Sequence, residues 1–237
     1  MKKRAVILAG GKGTRLKPYT ITLPKPLVPV GDDMPVLEII IRQLKFHGFD
    51  YITLAVNHMS ELIEAFFKDG SKWGLKIDYS EESIPLGTMG PLKNIKNLPE
   101  NFLVMNGDII TDLNYAEFYE FHTKNNPVFT ISSFKRQELV DYGVIESDEG
   151  RLTNLREKPT VDYEVSMGIY MLSNRILDFI PENKEFGFDQ LMLKLLKEKQ
   201  EVLVKKHDNY WLDIGRPSDY ETAIKDYPAK IKKDFLV

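Results

Sequence analysis

The stretch Arg4-Ala5-Val6-Ile7-Leu8-Ala9-Gly10-Gly11-Lys12-Gly13-Thr14-Arg15-Leu16 passes from an unbroken apolar run into a loop with three glycines in four positions. An apolar run without polar alternation is the pattern of a strand covered on both faces, and such strands belong to parallel sheets. A buried strand is therefore expected over residues 4–9. The glycines that follow let backbone amides approach an anion without interference from a Cβ. The spacing departs from the dinucleotide fingerprint, because Leu16 stands where the third glycine belongs, and from the P-loop, which closes on Gly-Lys-Ser/Thr. The loop is read as an anion-binding turn of another kind.

Outward from this loop, short β-branched runs alternate with helical stripes. Leu37, Ile40, Ile41 and Leu44 mark an amphipathic helix over residues 36–48. Residues 51–56 form the next strand, and Leu62, Ile63, Phe66 and Phe67 mark a second helix. Strands over 75–79 and 102–105 and a helix over 115–124 follow. This β-α-β-α order predicts an α/β fold with a mostly parallel, doubly wound sheet. From Val128 the texture changes to strands over 128–133, 143–146, 152–156 and 165–172 with little helix between them. Leu191, Met192, Leu195 and Leu196 then give a helix, residues 202–206 a strand, and Pro217 opens a last helix to residue 227. No linker, repeat or low-complexity segment interrupts the chain. One domain over 1–237 is expected, with two subregions of about 1–125 and about 126–237. Ligands of open α/β sheets sit at the carboxyl ends of the strands. The chemistry is therefore expected after Ala9, after Met105 and near the later strands.

Composition narrows the function. Apolar residues make up 43 % of the 237, enough for a sizeable core. The 32 lysines and arginines stand against 35 acidic residues, a net charge of −3, which argues against a nucleic-acid or membrane binder. The absence of cysteine excludes disulfides, Cys-ligated zinc and thiol catalysis. The basic start is followed by too short an apolar run for a signal peptide or a span, so a soluble cytoplasmic protein is expected. The histidines (His47, His58, His122 and His207) are scattered without metal spacing and read as surface or half-buried residues. Trp73 reads as core, and Ser132 and Ser133 have no obvious base to activate them.

Residues 20–30, Thr-Ile-Thr-Leu-Pro-Lys-Pro-Leu-Val-Pro-Val, are extended and stiff. Lys25 sits between two prolines that restrict its backbone and reads as a fixed positive charge beside the phosphate loop. Gly11-x-Gly-Thr-Arg-Leu-x-Pro followed by Pro24-Lys-Pro-Leu-Val-Pro resembles the signature of the sugar-phosphate nucleotidylyltransferases, which act on hexose or heptose 1-phosphates with one of several nucleoside triphosphates. Leu86-Gly87-Thr88 resembles the family's base-contacting loop, and Asn106-Gly107-Asp108 the segment with its first metal carboxylate. Tyr142-Gly143-Val144-Ile145, Glu157-Lys158-Pro159 and Gly168-Ile169-Tyr170 resemble the sugar-phosphate side. Trp211-Leu212-Asp213-Ile214-Gly215 resembles the segment with the second metal carboxylate. The resemblance covers roughly residues 3 to 225. It lacks the left-handed β-helix domain that some relatives carry after this core, so acetyltransferase activity is not expected.

The resemblance implies a Rossmann-like mixed sheet of the nucleotide-diphospho-sugar transferase type, with a nucleotide-binding half of about 1–125 and a sugar-phosphate-binding half of about 126–237. It also implies attack of a sugar 1-phosphate on the α-phosphorus of a nucleoside triphosphate with loss of pyrophosphate. Two anions must then meet, which calls for positive charge, a metal and alignment rather than a covalent nucleophile. On this reading Leu8, Ala9, Gly10, Gly11, Gly13 and Thr14 hold the nucleotide with Gly87 and Thr88, and Arg15 forks onto its phosphates. Lys25 lies near the α-phosphate. Gly143, Glu157, Lys158 and Gly168 take the sugar phosphate, and Asp108 and Asp213 hold Mg²⁺. Glu82 stands where thymidylyl- and uridylyltransferases commonly have glutamine. A carboxylate only accepts hydrogen bonds, which suits the two adjacent donors of guanine and favours GTP with a mannose- or heptose-type acceptor. UTP- or dTTP-dependent transfer, cytidylyl transfer to a non-sugar phosphate, and a silent sugar-nucleotide-binding subunit are the alternatives. A glycosyltransferase would be expected to show Asp-x-Asp, which Asn106-Gly107-Asp108 is not. A homodimer is left open.

Overall fold

The protein is described by a computed structural model over residues 3–31, 34–82 and 84–227. The first half of the chain contributes β1 (Lys3–Leu8), β2 (Pro29–Val30), β3 (Met34–Pro35), α1 (Val36–Phe46), β4 (Phe49–Val56), α2 (Ser60–Phe67), β5 (Lys76–Glu81), β6 (Asn101–Asn106), β7 (Ile109–Thr111) and α3 (Tyr115–Asn125). The second half contributes β8 (Phe129–Leu139), β9 (Gly143–Asp148), β10 (Arg151–Glu157), β11 (Thr160–Ser173), α4 (Phe188–Lys197), β12 (Val202–His207), β13 (Trp211–Asp213) and α5 (Pro217–Asp226).

Seven strands from both halves form one sheet in the order β12-β8-β11-β6-β1-β4-β5. Neighbours are parallel except at β11, which runs antiparallel to both β6 and β8. The sheet is thus mixed and doubly wound, as expected. β4 and β5 extend it on one side of β1 and β6 on the other, so the carboxyl end of β1 opens at the point where the strand order reverses. A crevice forms there in open α/β sheets.

The unbroken apolar strands have the cause inferred from the sequence: each is covered on both faces. Ala5, Ile7, Leu103, Met105, Ile169 and Met171 pack with α1, α3 and α5, whereas Val6, Phe102, Val104, Tyr170 and Leu172 pack with Leu191 and Leu195 of α4. Trp73 is buried against Phe67 and donates from Nε1 to Glu38, a core role as expected. Among the described residues no helix is long and apolar enough to cross a membrane.

Three features depart from the sequence expectations. β8 and β11 run well past 128–133 and 165–172. Their outer parts, paired from Thr160 opposite Leu139 to Val165 opposite Phe134, are largely exposed. A polar, charged two-stranded arm that is exposed has the same composition as a loop. β7 and β13 form a separate antiparallel pair that the sequence does not suggest, being too short to show a period. Lastly, two histidines are more buried than expected. His122 is fully enclosed, its Nδ1 2.8 Å from Thr130 Oγ1, and His207 Nε2 lies 2.7 Å from Asp112 Oδ1. With Tyr115 and Phe118, His122 occupies the buried face of α3. Burial pulls its imidazole down to about 4, with the nearby Arg175 charge acting in the same direction.

Candidate active site

The loop after β1 is tied at both ends. Ala9 N–H donates to Ala55 O of β4 at 2.8 Å, and fully buried Leu16 plugs the loop's far end into the core. Gly13 between them has φ +61°, and a Cβ there would come within 2.9 Å of Thr20 Cγ2. Only glycine meets both conditions at little cost. Thr20 Oγ1 closes the turn by donating to Gly13 O at 2.7 Å. This staple brings the proline-rich segment back beneath the loop. Lys25 then begins a single 3₁₀ turn, Lys25–Leu27, with Pro24 before it and Pro26 within it.

The carboxylates arrive on the short strand pair. Asp108 precedes β7, and Asp213 ends β13 directly opposite Ile109. Ile214 N–H donates to Asp108 O at 3.0 Å, so the two acidic segments are stitched together by main chain. Thr111 Oγ1 donates to Tyr210 O at 2.7 Å at the other end of the pair. Lys25 Nζ forms an ion pair and hydrogen bond with Asp108 Oδ2. Burial and the Asp108 charge push the Asp213 carboxyl up, while Lys25 and Arg15 pull it down. Asp108, Asp213, Lys25 and Arg15 therefore feel one another, although they come from distant parts of the chain. Arg15 is exposed and makes no ion pair among the described residues, which leaves its fork for a ligand.

These elements enclose a crevice of about 490 Å³. Leu8, Ala9, Gly10, Gly11, Gly13, Thr14, Arg15, Lys25, Glu82, Gly87, Thr88 and Asp108 all line it. Glu82 Oε2 accepts the Leu86 N–H at 2.9 Å, and burial pushes its carboxyl up against that hydrogen bond. The loop bearing Gly87 and Thr88 is held from the second half of the chain. Phe186 N–H donates to Leu86 O, Met89 and Gly90 N–H donate to Phe186 O, and Phe188 N–H donates to Thr88 Oγ1, all within 3.0 Å.

The sugar-phosphate candidates are divided. Gly168 abuts the crevice wall, where a Cβ would fall 2.7 Å from the lining residue Asn106. Gly143 and Glu157 pair across the exposed β9–β10 ribbon, and exposed Lys158 just beyond it is ion-paired with Asp141 at 2.7 Å. These three are close together but stand outside the crevice lining.

Sequence reasoning misses Asn57 and gives Asn106 and Gly215 no role beyond membership of the two acidic motifs, yet all three line the crevice. Asn57 follows β4 and donates to Glu82 O at 3.3 Å. A polar residue just past a parallel strand is the available signal, the same logic that finds the loop after β1.

Oδ1 of Asp108 and Oδ1 of Asp213 are both buried without a hydrogen-bond partner. Leaving such oxygens bare is costly, and a hard cation is a fitting partner. Mg²⁺ is commonly held by one or two carboxylates, with water and phosphate completing its shell. The residues present fit that group. Among the described residues no cluster of three or more potential ligands occurs.

Known proteins resemble this chain over most of its length. A UTP–glucose-1-phosphate uridylyltransferase of Synechocystis sp. is 35 % identical over 94 % of the chain and 62 % of its own length. A mannose-1-phosphate guanyltransferase of Yarrowia lipolytica is 36 % identical over 97 % of the chain and 65 % of its own length. The chain thus spans just under two thirds of these relatives. The crystal structure of HddC from Yersinia pseudotuberculosis complexed with GMP-PN superposes with a TM-score of 0.74 at 28 % identity, covering 95 % of this chain and 99 % of that one. A putative glucose-1-phosphate thymidylyltransferase from Bacillus anthracis, at 22 % identity and TM-score 0.74 over 94 % of each chain, shares the fold. Residues 4–230 match the nucleotidyl transferase family model, and with its crevice built as described the chain belongs to that family.

Proposed function

We propose that residues 1–237 act as one nucleotidyltransferase unit, which transfers a nucleoside monophosphate from a triphosphate to a sugar 1-phosphate and releases pyrophosphate. One observation carries the reading: a glycine-rich phosphate loop, Lys25, Arg15 and Asp108 line one crevice, and Asp213, with a bare buried oxygen of its own, lies just behind the lining residue Gly215. In the reaction a sugar-phosphate oxygen forms the new bond to the α-phosphorus, and the bond from that phosphorus to the bridging β-oxygen breaks. The electron pair leaves with pyrophosphate. The loop amides and Arg15 hold the β- and γ-phosphates and oppose the charge that grows on the leaving group. Lys25, set on its stiff turn, neutralises charge around the α-phosphate. Lys158 and Glu157 bind the incoming sugar phosphate through its phosphate and hydroxyls. Mg²⁺ held by Asp108 and Asp213 would supply Lewis-acid neutralisation of the phosphates when bound.

For the base, GTP is the favoured partner, with a mannose- or heptose-type acceptor. Glu82 lines the crevice with one oxygen anchored by Leu86 and the other available to a base donor. A hydrogen bond to a charged acceptor contributes roughly 1.5–3 kcal/mol, about tenfold to a hundredfold in preference. The likeness to the Yarrowia guanyltransferase and to HddC with GMP-PN supports this reading. The comparable likeness to the Synechocystis uridylyltransferase favours UTP as the second reading. The test is a matrix of the four triphosphates against hexose and heptose 1-phosphates, read by pyrophosphate release. GTP should dominate under equal competition, and Glu82→Gln should erode that dominance. Preferential use of UTP or dTTP would overturn the base assignment, and no release with any pair would overturn the activity.

A further inference from the structure

The nucleotidyl-transfer reading gives Lys25 and Asp108 different partners, phosphate for the lysine and metal for the carboxylate. In the protein alone they have each other. Lys25 Nζ sits on Asp108 Oδ2, and both side chains are mostly enclosed, 12 % and 20 % exposed. Competition between enclosed charges is stronger than the same competition in water. The remaining oxygen of Asp108 and one oxygen of Asp213 are buried and bare. The pair is thus shaped for a cation, yet Asp108 already has its charge matched. A dication entering here meets an ammonium in contact with one of its two carboxylate ligands. Lysine is suited to giving way, because its charge rides on a flexible four-carbon stem, whereas its backbone is held between prolines.

We infer that Lys25 is the resident counter-ion of Asp108 in the metal-free protein, and that a divalent cation takes Asp108 only by displacing it. The proposal rests on the reading of Asp108 and Asp213 as the metal carboxylates. The displacement has a consequence for order. The bare protein holds a divalent cation weakly, and the ammonium is released toward phosphate as the metal arrives. Metal and triphosphate therefore enter together, because the triphosphate offers Lys25 a new partner while the metal takes the old one.

The test measures Mn²⁺ binding to the full chain without nucleotide, from the spin-resonance signal of free Mn²⁺. Removing the ammonium with Lys25→Met should tighten Mn²⁺ binding by at least about tenfold, as expected for lifting a contact repulsion between enclosed groups. Lys25→Arg keeps the charge and should stay within about twofold of the wild type. Lys25→Gln repeats the neutral test if the methionine variant melts early. Unchanged or weaker binding in both neutral variants would overturn the proposal, as would equal tightening in Lys25→Arg. The double variant Lys25→Met with Asp108→Asn separates the two levels of inference. Loss of the gained affinity supports both the site and the competition, whereas retention of that affinity would overturn Asp108 as the ligand. If Asp108→Asn alone abolishes binding while Lys25→Met changes nothing, the site reading stands and the counter-ion role falls.

Discussion

At the scale of single residues, Lys25 and Lys158 present the same charge in opposite settings, and their expected kinetics differ accordingly. Lys25 is enclosed between prolines in the crevice, where a fixed charge would act on a reacting phosphate. Lys25→Ala should lower kcat more than it raises KM for the triphosphate. An effect on KM alone would mean that it binds only ground-state phosphate. Lys158 lies on the surface, paired with Asp141. Its replacement by alanine should leave kcat largely intact and raise KM for the sugar phosphate roughly tenfold, the scale of one charge-assisted hydrogen bond. A shift in triphosphate KM instead would show that the two half-sites are misassigned. Asp108→Asn and Asp213→Asn should each cut turnover by about a hundredfold or more, and pyrophosphate release near wild-type rates from either would remove it from the metal site.

At the scale of elements, Asp108 and Asp213 are positioned by two three-residue strands rather than by the large sheet. Thr111 is the clamp: its buried hydroxyl donates to Tyr210 O across the pair and accepts Leu113 N–H at 3.2 Å. Thr111→Val keeps the shape and deletes both bonds, so unfolding in urea should show a loss of about 1–2 kcal/mol. No loss would mean that the main-chain ladder alone sets the register. This pair marks the limit of what the sequence discloses. β1 and its loop are legible because only a strand buried on both faces combines an unbroken apolar run with the glycines clustered at its end. Asp108 is legible as a residue past a strand, and the motif series points to Asp213, but their approach depends on β7 and β13, which are too short to carry a period. The arm of β8 and β11 beyond the sheet looks like loop in the sequence, because exposed strands need no apolar face. His122 does carry a signal: with Tyr115 and Phe118 it follows the i, i+3, i+7 spacing of the buried face of α3. Metal-ligand spacing alone does not reveal it.

At the scale of the whole molecule, the single sheet draws strands from both halves, and His122 lies on the seam. It belongs to α3 of the first half and meets Thr130 of β8 in the second, near Arg175, which donates to Asn126 O and Pro127 O at the junction. Its pKa falls from 6.5 to about 4 on folding. Between these values the unfolded chain binds a proton that the folded protein refuses, so stability rises with pH across the window and is lost as pH falls through it. Because the side chain is fully buried, the loss is up to about 3 kcal/mol, taking 1.36 kcal/mol per pKa unit. Glu82 and Asp213 act in the opposite sense. Their carboxyls are pushed up in the fold, so acidification relieves them and adds stability as they take up protons. The raw pH profile therefore mixes both signs, and the histidine is isolated by difference. Urea unfolding of the wild type and of His122→Gln, each at about pH 7.5, 6.5, 5.5 and 4.5, gives that difference. The wild type should lose stability relative to the variant progressively below about pH 6.5, with both halves of the chain unfolding in one transition. A difference that stays constant over this range would show that the folded protein holds His122 charged, and that the seam between the halves is polar rather than dry.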